Sequence, residues 1–326
     1  MPSGVLVFGE AVEGGGELAP VTGELLGAAK SLGGPVTCVL LGAGVEGLAK
    51  ECGALGADKV IVVDDEVLKD YQGDAYVHVG ERICKEADPS VVLFGQTMTG
   101  RDMAPRLAAR LGTAVAMDCV ELSLDGEKLQ ASRSCYGGSA RARYTINGMP
   151  QIATLRAKVF DPPERDDSRQ AEVAKQSADV SADVIRTRIV SRRKEEVEGV
   201  RLEDAPVVVS GGRGLGGPEG FQPLEELAGI LGGAVGATRA VCDMGWYPVA
   251  AQVGLTGKVV TPDLYIAVGI SGASQHMAGI SQVKNIVAIN KDSEANIFQA
   301  ARFGVVGDWK EVIPAFTEKV RELKAG

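Results

Sequence analysis

The chain has 326 residues, 45% hydrophobic and 24% charged, so it can bury a core and exceeds the usual length of one domain. Its 34 basic and 43 acidic side chains give a net charge of −9, and aromatic residues make up only 5%, which disfavours nucleic acid as a partner. Two His and six Cys without a C-x-x-C pair leave few ligands for zinc and favour reduced thiols.

The N-terminal segment reads MPSGVLVFGE and predicts a strand that begins at once. It lacks the basic start and the apolar region of a signal peptide. No apolar run in the chain reaches the roughly 18 residues that a membrane span needs. We therefore expect a cytoplasmic protein without membrane insertion.

The first 120 residues alternate apolar, β-branched runs with helix-like segments. Because the runs do not alternate polar and apolar residues, they favour strands buried on both faces of a parallel α/β sheet. Thr99–Asp102 reads as the start of a helix, with Asp102 in its N-cap region. The predicted strands are Val5–Phe8, Val36–Leu41, Lys59–Val63 and Ser90–Phe94, and the predicted helices include Leu48–Leu55 and Tyr76–Ala87.

The pattern changes between Leu129 and Phe160, where polar and apolar residues alternate. Leu129–Ser134, Arg141–Ile146 and Gln151–Val159 predict antiparallel strands appended to the parallel sheet. The Asn147-Gly148 pair is typical of a hairpin turn.

Residues 161–205 predict an extended linker between two domains. The segment opens with a proline-rich polar stretch, and Val184–Val190 alternates as an exposed strand would. The charge run Arg192–Glu198, which includes RRKEE at Arg192–Glu196, is typical of a solvated face. We place an N-terminal α/β domain at 1–195 and a C-terminal domain at 196–326.

The second domain restarts the alternation of strands and helices. It predicts a second Rossmann-like parallel sheet. Its predicted strands are Pro206–Ser210, Gly232–Ala237, Leu264–Val268, Asn285–Ile289 and Gly304–Val306, and its predicted helices are Gln222–Leu231 and Trp309–Leu323.

The sharpest local motif is G-x-G-x-x-G at Gly212–Gly217, between a predicted strand and a predicted helix. Such glycines allow a tight turn, and backbone N–H groups at a helix start attract a pyrophosphate. The acidic residue that an NAD ribose needs about 20 positions on is absent, because Gly236–Arg239 reads GATR. A glycine-rich turn without a ligand fits the same pattern.

Polar, ligand-type loops follow the predicted strands of this domain repeatedly. In an open parallel sheet ligands bind beyond the carboxyl ends of the strands, so the loops together favour a large nucleotide-type ligand along that edge. Each loop alone is ordinary turn chemistry. The loops are Thr238-Arg239, Gln252–Lys258, Ser271–His276, Asn290–Asp292 and Gly307-Asp308.

Four segments together carry a family resemblance. Pro262–Lys291 reads PDLYIAVGISGASQHMAGISQVKNIVAINK, and it is joined by GGRGL at 211–215, QVGLTGK at 252–258 and GVVGDW at 304–309. They closely resemble the alpha subunit of electron transfer flavoproteins. The resemblance extends more weakly over the first domain through GQTMTGRDMAPRLAARLG at 95–112.

The resemblance implies that the second domain, of the DHS-like type, binds one FAD. Arg213 would lie beside the pyrophosphate, and Arg239 would stack over the isoalloxazine ring, where its charge eases reduction. Thr256 would bond the flavin N5. His276 would lie near the N1/O2 side, where a donor or an imidazolium would stabilise the negative charge of the reduced ring.

The resemblance implies further contacts of the other loop residues. Ser271–Gln275 would serve the phosphates and the ring edge, and Asn290 with Asp308-Trp309 would contact the adenosine end. The full implied cofactor-binding set is Arg213, Gly214, Thr238, Arg239, Gln252, Val253, Gly254, Leu255, Thr256, Gly257, Ser271, Gly272, Ala273, Ser274, Gln275, His276, Asn290, Lys291, Asp308 and Trp309.

Two positions invite comparison with the family pattern. Leu255 stands where the family usually has a second Gln, so a side-chain polar role is lost there while a backbone contact survives. Asp243–Pro248 reads DMGWYP, which is similar to anaerobic and electron-bifurcating branches of the family. Trp246 in this loop fits a packing aromatic equally well.

The resemblance implies an electron carrier rather than an enzyme. Its partners would be a beta subunit, which the first domain contacts in a heterodimer, an acyl-CoA-type dehydrogenase of fatty acid β-oxidation as donor, and a quinone oxidoreductase or ferredoxin as acceptor. An electron-bifurcating subunit working with NADH and ferredoxin is the alternative within the family. Outside it, the glycine motif leaves open an NAD-dependent dehydrogenase, and the first domain a non-redox adenine-nucleotide module.

Overall fold

The computed structural model describes residues 4–12, 14, 16–138, 140–181, 183–187, 189–191 and 200–325. These residues fall into two compact units. One has the bounds Met1–Ser134 and Arg141–Arg192, and the other has the bounds Cys135–Ala140 and Arg193–Gly326. Each unit is built on its own largely or wholly parallel sheet, as the α/β pattern of the sequence predicts.

The first unit contains a nine-stranded sheet with four α-helices among its described residues. The strands are β1 (Val5–Gly9), β2 (Val36–Gly42), β3 (Lys59–Asp64), β4 (Val91–Gly95), β5 (Val115–Asp125), β6 (Lys128–Cys135), β7 (Ala140–Thr145), β8 (Gln151–Leu155) and β9 (Glu172–Lys175). The helices are α1 (Pro20–Leu32), α2 (Ala49–Ala54), α3 (Gly73–Ala87) and α4 (Met98–Leu111).

The strand order of this sheet is β7-β6-β5-β8-β4-β1-β2-β3-β9. Successive side chains of a strand point to opposite faces, so β1 contributes to two separate cores. Val5 and Val7 pack with Leu25 of α1 on one face, and Phe8 packs with Met103 of α4 on the other. Buried central strands with helices on both faces confirm the predicted parallel α/β class.

β8 differs from its prediction. The pattern predicts an antiparallel strand over Gln151–Val159, whereas β8 ends at Leu155 and pairs in parallel with β4 and β5. The polar residues that suggested an exposed face are buried, and hydrogen bonds satisfy their polar groups there. Gln151 accepts from the Leu129 backbone N–H over 2.7 Å, and Thr154 accepts from the Asp118 backbone N–H over 2.8 Å. The hairpin predicted at Asn147-Gly148 is also wrong, since β6 and β5 lie between β7 and β8.

Helix α4 begins earlier than the sequence predicts. Its N-cap is Thr97, whose hydroxyl accepts a hydrogen bond from the Gly100 backbone N–H over 3.0 Å. Asp102, predicted in the N-cap region, lies inside the helix and accepts from the Tyr71 hydroxyl over 2.7 Å. The cap is therefore a threonine one residue before Met98.

The segment after β8 also differs from its prediction. The residues described between 184 and 190 contain no strand, so the exposed strand expected at Val184–Val190 is wrong for them. Among the residues of this region that the structure describes, Glu172–Lys175 form β9, which pairs in parallel with β3 at the sheet edge. The charge run Arg192–Glu198, with its RRKEE stretch, lies outside the described residues.

The second unit follows its predicted element order closely. Its strands are β10 (Val207–Gly211), β11 (Ala234–Ala237), β12 (Leu264–Val268), β13 (Ile286–Asn290) and β14 (Phe303–Val306). Its helices among the described residues are α5 (Gln222–Leu231), α6 (Arg239–Asp243), α7 (Ser274–Ile280), α8 (Ile297–Ala300) and α9 (Trp309–Ala325).

These five strands pair in parallel in the order β11-β10-β12-β13-β14. Tyr265 and Ala267 of β12 pack with Ile280 of α7 on one face. Ile266 of the same strand packs with Leu227 of α5 on the other face. The sheet is thus covered on both sides, and its carboxyl edge carries the predicted ligand loops.

Candidate functional site

The predicted ligand loops of the second unit line up along one edge of its sheet. In sheet order, 238–239 follows β11, 212–217 follows β10, 269–276 follows β12, Asn290 ends β13 with Lys291 after it, and 307–309 follows β14. Five neighbouring strands with a spacing of ~4.8 Å span roughly 19 Å. An extended ligand can therefore contact all five segments at the edge where open parallel sheets bind ligands.

The turn after β10 brings glycine backbones into direct contact. The Gly212 N–H donates to Val268 O and the Gly214 N–H to Gly269 O, each over 2.9 Å. A Cβ at Gly214 would lie 2.8 Å from Gly269 Cα, so only glycine fits this crossing. Arg213 and Gly214 remain exposed at the sheet edge, as a phosphate-binding turn requires.

A cleft of about 170 Å³ opens beside this turn. Asn290 shapes it, because its Nδ2 donates to Ile270 O over 2.9 Å and its Oδ1 accepts from the Asp292 backbone N–H over 3.0 Å. Asn290 is therefore largely engaged within the protein. The lining includes Gly214, Gly216, Gly269, Lys291, Asp308 and Trp309.

The far end of the cleft is the beginning of α9. The Asp308 carboxylate accepts from the Lys310 backbone N–H over 2.9 Å and so caps the helix. The Lys310 ammonium lies 5.9 Å from the centroid of the half-buried Trp309 ring. Lys291 and Lys310 are both exposed, so this end carries two cations suited to an anionic ligand.

Thr238 and Arg239 stand at the other end of the edge. The Thr238 backbone N–H donates to Gly211 O over 3.1 Å, while its hydroxyl makes no capping bond to α6. The exposed Arg239 guanidinium contacts the Asp243 carboxylate over 3.3 Å, one helical turn on. Exposed pairs of this kind are weakly held, so the guanidinium is free to turn toward a ligand.

The loop after α6 holds the aromatic residues of the DMGWYP stretch. Trp246 and Tyr247 pack against the buried cluster on the α5 face of the sheet. The Tyr247 ring stacks on Phe221 at 4.3 Å between centroids, and its hydroxyl donates to Glu225 over 3.1 Å. Trp246 therefore has the packing role that the sequence left open.

The segment 252–258 closes into a tight turn held by backbone hydrogen bonds. Val253 N–H donates to Ala237 O over 2.9 Å, which ties the turn to the end of β11. Lys258 N–H donates to Gln252 O over 2.7 Å, and Gly254 N–H donates to Lys258 O over 3.1 Å. The turn is therefore fixed at both ends before any ligand binds.

The tip of this turn rests on the first turn of α7. The Leu255 N–H donates to Gln275 O over 2.7 Å, so the backbone N–H at the position of the missing family Gln is already used. Gly254 has a φ of 143°, and a Cβ there would lie 2.9 Å from Gln275 O. The Gly257 N–H donates to Gly254 O over 3.0 Å, and the Leu255 side chain is 66% exposed.

Thr256 is the exposed polar residue of the turn. Its Oγ1 accepts a hydrogen bond from Gln252 Nε2 over 3.0 Å, and Gln252 itself is only 7% exposed. A side-chain NH₂ group can only donate, so the Thr256 hydroxyl keeps its own hydrogen for another partner. The turn thus presents a hydroxyl donor to the sheet edge.

The segment between β12 and α7 leads to the same edge. Gly272 has a φ of 82°, and a Cβ there would lie 2.3 Å from Ile297 N, so this position requires glycine. The N-cap position of α7 is Ala273, which offers no capping side chain. The exposed residues of the segment are Ser271, Ala273, Ser274 and Gln275.

His276 is buried, with a 6% exposed surface. Its Nδ1 lies 3.1 Å from Val253 O and its Nε2 lies 3.0 Å from the Tyr265 hydroxyl. Burial lowers the pKa of His276 to about 4, against a smaller raising effect of the Val253 carbonyl. Burial disfavours the charged form of the ring, and both ring nitrogens lie within hydrogen-bond distance of protein atoms. The contact with FAD that the resemblance implies stays a prediction.

Tyr265 is the site residue that sequence reasoning missed. It lies in β12 with no exposed surface, and burial raises the pKa of its hydroxyl. In sequence it looks like one more apolar core residue of a strand. The signal that could have found it is the polar group that a buried tyrosine must satisfy, together with a histidine in the next element.

Similarity to known proteins shows the family to which the chain belongs. Residues 5–181 match the electron transfer flavoprotein domain, and residues 201–281 match the electron transfer flavoprotein FAD-binding domain. The chain is 46% identical to the electron transfer flavoprotein subunit alpha of Thermoanaerobacterium thermosaccharolyticum, over 95% of this chain and 96% of that protein. The chain belongs to the electron transfer flavoprotein alpha-subunit family.

Other relatives of this electron transfer flavoprotein family member cover both chains nearly fully. The electron transfer flavoprotein subunit alpha of Bacillus subtilis is 44% identical over 98% of each chain. A protein named FixB from Clostridium saccharobutylicum is 41% identical over 98% of this chain and 97% of its own length. Membership places the chain among electron carriers rather than enzymes, as the resemblance implies.

The matched FAD-binding domain names the cofactor, and the residues of the edge fit it. Glycine at Gly212, Gly214 and Gly269 lets the turns after β10 and β12 cross closely, because a Cβ there would clash with the protein backbone. Exposed cations and hydroxyl groups lie along one sheet edge, and both kinds of donor suit the phosphates of a dinucleotide. Asn290 and the residues at 307–309 lie beyond the matched segment, at the far end of the same edge.

No helix among the described residues is long and apolar enough to cross a membrane. The same residues hold no group of three or more His, Cys, Asp or Glu side chains that could bind a metal ion.

Proposed function

We propose that this chain is the FAD-binding large subunit of a heterodimeric electron transfer flavoprotein. It accepts electrons from an acyl-CoA-type dehydrogenase and passes them to a second redox partner, such as a quinone oxidoreductase. The donor class and the acceptor follow from the family resemblance. The binding of FAD at the second unit is further supported by the residues at its sheet edge.

The proposal assigns a separate task to each domain. Residues 1–195 form the α/β domain that contacts the beta subunit, with 161–205 as the connecting segment. Residues 196–326 form the domain that holds FAD. The ligand-type loops described above all lie in the second of these ranges, which supports the division.

One observation carries the proposal most directly. A glycine crossing, a cationic cleft and the hydroxyl-bearing turn at 252–258 all lie at the carboxyl edge of one parallel sheet. None of these residues forms a nucleophile with an adjacent general base. A site whose residues can bind a ligand, but which has no nucleophile paired with a base, suits a protein that holds a redox cofactor.

The chain's residues divide the work of holding FAD. FAD supplies the ring that accepts and returns electrons. Arg213 in the glycine turn binds the pyrophosphate, and Lys291 adds positive charge at the adenosine end. Arg239 places positive charge beside the ring, and the Thr256 hydroxyl donates to it.

Co-expression with the beta subunit, followed by a count of flavins and nucleotides per heterodimer, tests the proposal. We expect one FAD in the second domain of this chain and electron uptake from an acyl-CoA dehydrogenase. Two FAD with reduction by NADH would indicate an electron-bifurcating subunit that uses ferredoxin. A complex that binds NADH or an adenylate and takes up no flavin would reject the proposal.

A further inference from the structure

The connecting segment ends in a stretch that is anchored on the second unit. We call residues 200–206, which lead directly into β10, the entry segment. Leu202 and Ala205 are only 5% and 1% exposed, and both belong to the buried cluster that includes Val253 of the 252–258 turn. The entry segment and the turn therefore share one core.

An ion pair joins the entry segment to the base of the turn. The Lys258 ammonium lies 2.9 Å from the Glu203 carboxylate, and the two side chains are 32% and 47% exposed. Such pairs are weak when both partners are mobile. Here the buried Leu202 fixes the backbone beside Glu203, so less conformational entropy is lost when the pair forms.

Lys258 closes the turn through its backbone. Its N–H donates to Gln252 O over 2.7 Å, and its carbonyl accepts from the Gly254 N–H over 3.1 Å. The Gln252 side chain donates to the Thr256 hydroxyl oxygen over 3.0 Å. A shift of Lys258 therefore moves Gln252 and, with it, the hydroxyl that the turn presents at the sheet edge.

We propose that Glu203 is a positioning residue: by holding Lys258 it seats the 252–258 turn, so that bound FAD and the entry segment stabilise each other. The effect on FAD rests on the proposed function, because it requires FAD to bind at this sheet edge. Glu203 touches no ligand and acts through Lys258. Coupling between two sites is reciprocal, so what the entry segment contributes to FAD affinity returns as protection of the segment by FAD.

Exchanging the two charges tests whether they act as a pair. The variants Glu203→Lys and Lys258→Glu should each raise the FAD dissociation constant of the complex with the beta subunit roughly fivefold. The double variant forms the pair in reverse and should return the constant to within about twofold of the wild type. A double variant as impaired as Lys258→Glu alone would show that the ammonium contacts FAD directly and would overturn the proposal.

A second ion pair of the same unit supplies the matched control. Lys319 and Glu322 lie 2.7 Å apart on α9 and are 66% and 59% exposed. They stand roughly 15 Å along the helix from Trp309 at the sheet edge. Glu322→Lys should leave the FAD dissociation constant unchanged, and an effect equal to that of Glu203→Lys would reduce both to a general effect of charge and overturn the proposal.

Hydrogen exchange in the entry segment tests the reciprocal effect. Saturating FAD should slow exchange in the peptide covering 200–206 roughly fivefold in the wild type and in the double variant, and less than about twofold in Glu203→Lys. Exchange that FAD does not alter in the wild type, or slows equally in Glu203→Lys, would overturn the proposal.

The outcomes separate this inference from the proposed function. A wild-type complex that binds no FAD would reject the function, and with it the effect on FAD. A complex that binds FAD with an affinity that the charge exchange does not restore would reject the inference alone.

Folding of the variants is checked by the fluorescence of Trp246 and Trp309 in urea, since both belong to the second unit. If Lys258→Glu does not fold, the neutral variants Glu203→Gln and Lys258→Met form the same cycle. Each should raise the FAD dissociation constant about twofold, and the double variant should be no worse than either. Neutral variants whose effects add would overturn the proposal.

Discussion

The side-chain amide of Gln252 donates from Nε2 to the Thr256 hydroxyl oxygen over 3.0 Å, so a buried residue orients an exposed one four positions away. The amide leaves the hydroxyl hydrogen free to point away from the protein. Any effect of Thr256 on a bound ring therefore depends on Gln252.

This dependence predicts that Gln252→Leu and Thr256→Val act on the same interaction. Each should weaken FAD binding, and the double variant should be less impaired than the sum of the two, by about 0.5–1.5 kcal/mol. FAD dissociation constants of the four proteins form a double-mutant cycle that measures this coupling. Effects that add to within about 0.3 kcal/mol would show that the two residues act separately.

Two glycines of the second unit should respond to alanine in opposite ways. A Cβ at Gly214 meets Gly269 Cα at 2.8 Å, so Gly214→Ala should lower the free energy of unfolding by roughly 1–3 kcal/mol and weaken FAD binding. Gly229 lies exposed in α5, and a Cβ there meets no atom within 4 Å. Gly229→Ala should raise stability by about 0.5–1 kcal/mol.

Urea unfolding followed by the fluorescence of Trp246 and Trp309 measures both changes in the unit that carries them. Gly229→Ala is the matched control, because it adds the same methyl group to the same unit away from the edge. Equal effects of the two substitutions would contradict the close packing at Gly214.

The second unit should lose stability in mild acid because of His276. Burial lowers the pKa of the folded-state ring to about 4, while the ordinary value is 6.5. Between these values the unfolded chain binds the extra proton, so stability falls as the pH drops, by at most about 1.4 kcal/mol per pH unit.

The variant His276→Asn keeps a donor for Val253 and has no titrating ring. Its unfolding free energy, measured by tryptophan fluorescence in urea at pH 7.5 and pH 5, should therefore change less with pH than that of the wild type. If the two proteins lose equal stability between these pH values, His276 is not buried as a neutral ring.

The first unit contains a carboxyl group with the opposite behaviour. Burial raises the pKa of Glu10 above 4.5, and the hydrogen bond from the Thr97 hydroxyl offsets only part of this. The ionised form therefore costs stability above the folded-state pKa, and the cost disappears below pH 4.5. Glu10→Gln keeps an acceptor for Thr97 and should stabilise the first unit at pH 7 but not at pH 4.

Thiol labelling in urea reports on this unit, because Cys38, Cys52, Cys84 and Cys119 are buried in it. A later labelling transition for Glu10→Gln at pH 7, which vanishes at pH 4, is the expected result. An earlier transition at pH 7 would show that the charge of Glu10 is stabilising.

Local sequence patterns predict the elements of the second unit well. The bounds of α5 and β12 agree with the prediction at every residue. Both segments are short and apolar, and a glycine marks the end of each. Gly232 ends α5 in a left-handed conformation, and Gly269 follows β12 with a φ of 63°. Local propensity and tertiary packing agree there, so local reasoning suffices.

Local sequence patterns do not predict the order of the strands in the first sheet. β8 looks amphipathic in sequence because Gln151 and Thr154 are polar, yet both are buried by hydrogen bonds to residues more than 20 positions away. The Asn147-Gly148 signal is local and carries no information about which strands become neighbours. Pairing decided by distant partners overrides such signals.

In the candidate site, too, the sequence predicts the local features but not the contacts between distant segments. Glycine turns and exposed polar loops are local features, so the sequence places them at the sheet edge. The bonds from Tyr265 to His276 and from His276 to Val253 join three separate segments, and no spacing rule predicts them. The neutral state of His276 follows from this burial and could not be inferred from the motif.

Hydrogen exchange measured by mass spectrometry, with and without FAD, tests the central claim that the second unit holds the cofactor at its sheet edge. We predict that saturating FAD slows exchange in the peptides that cover 211–217, 252–258, 269–276 and 307–310, and leaves β1 to β4 of the first unit unchanged. Protection confined to the first unit, or exchange that FAD does not alter anywhere, would contradict the account.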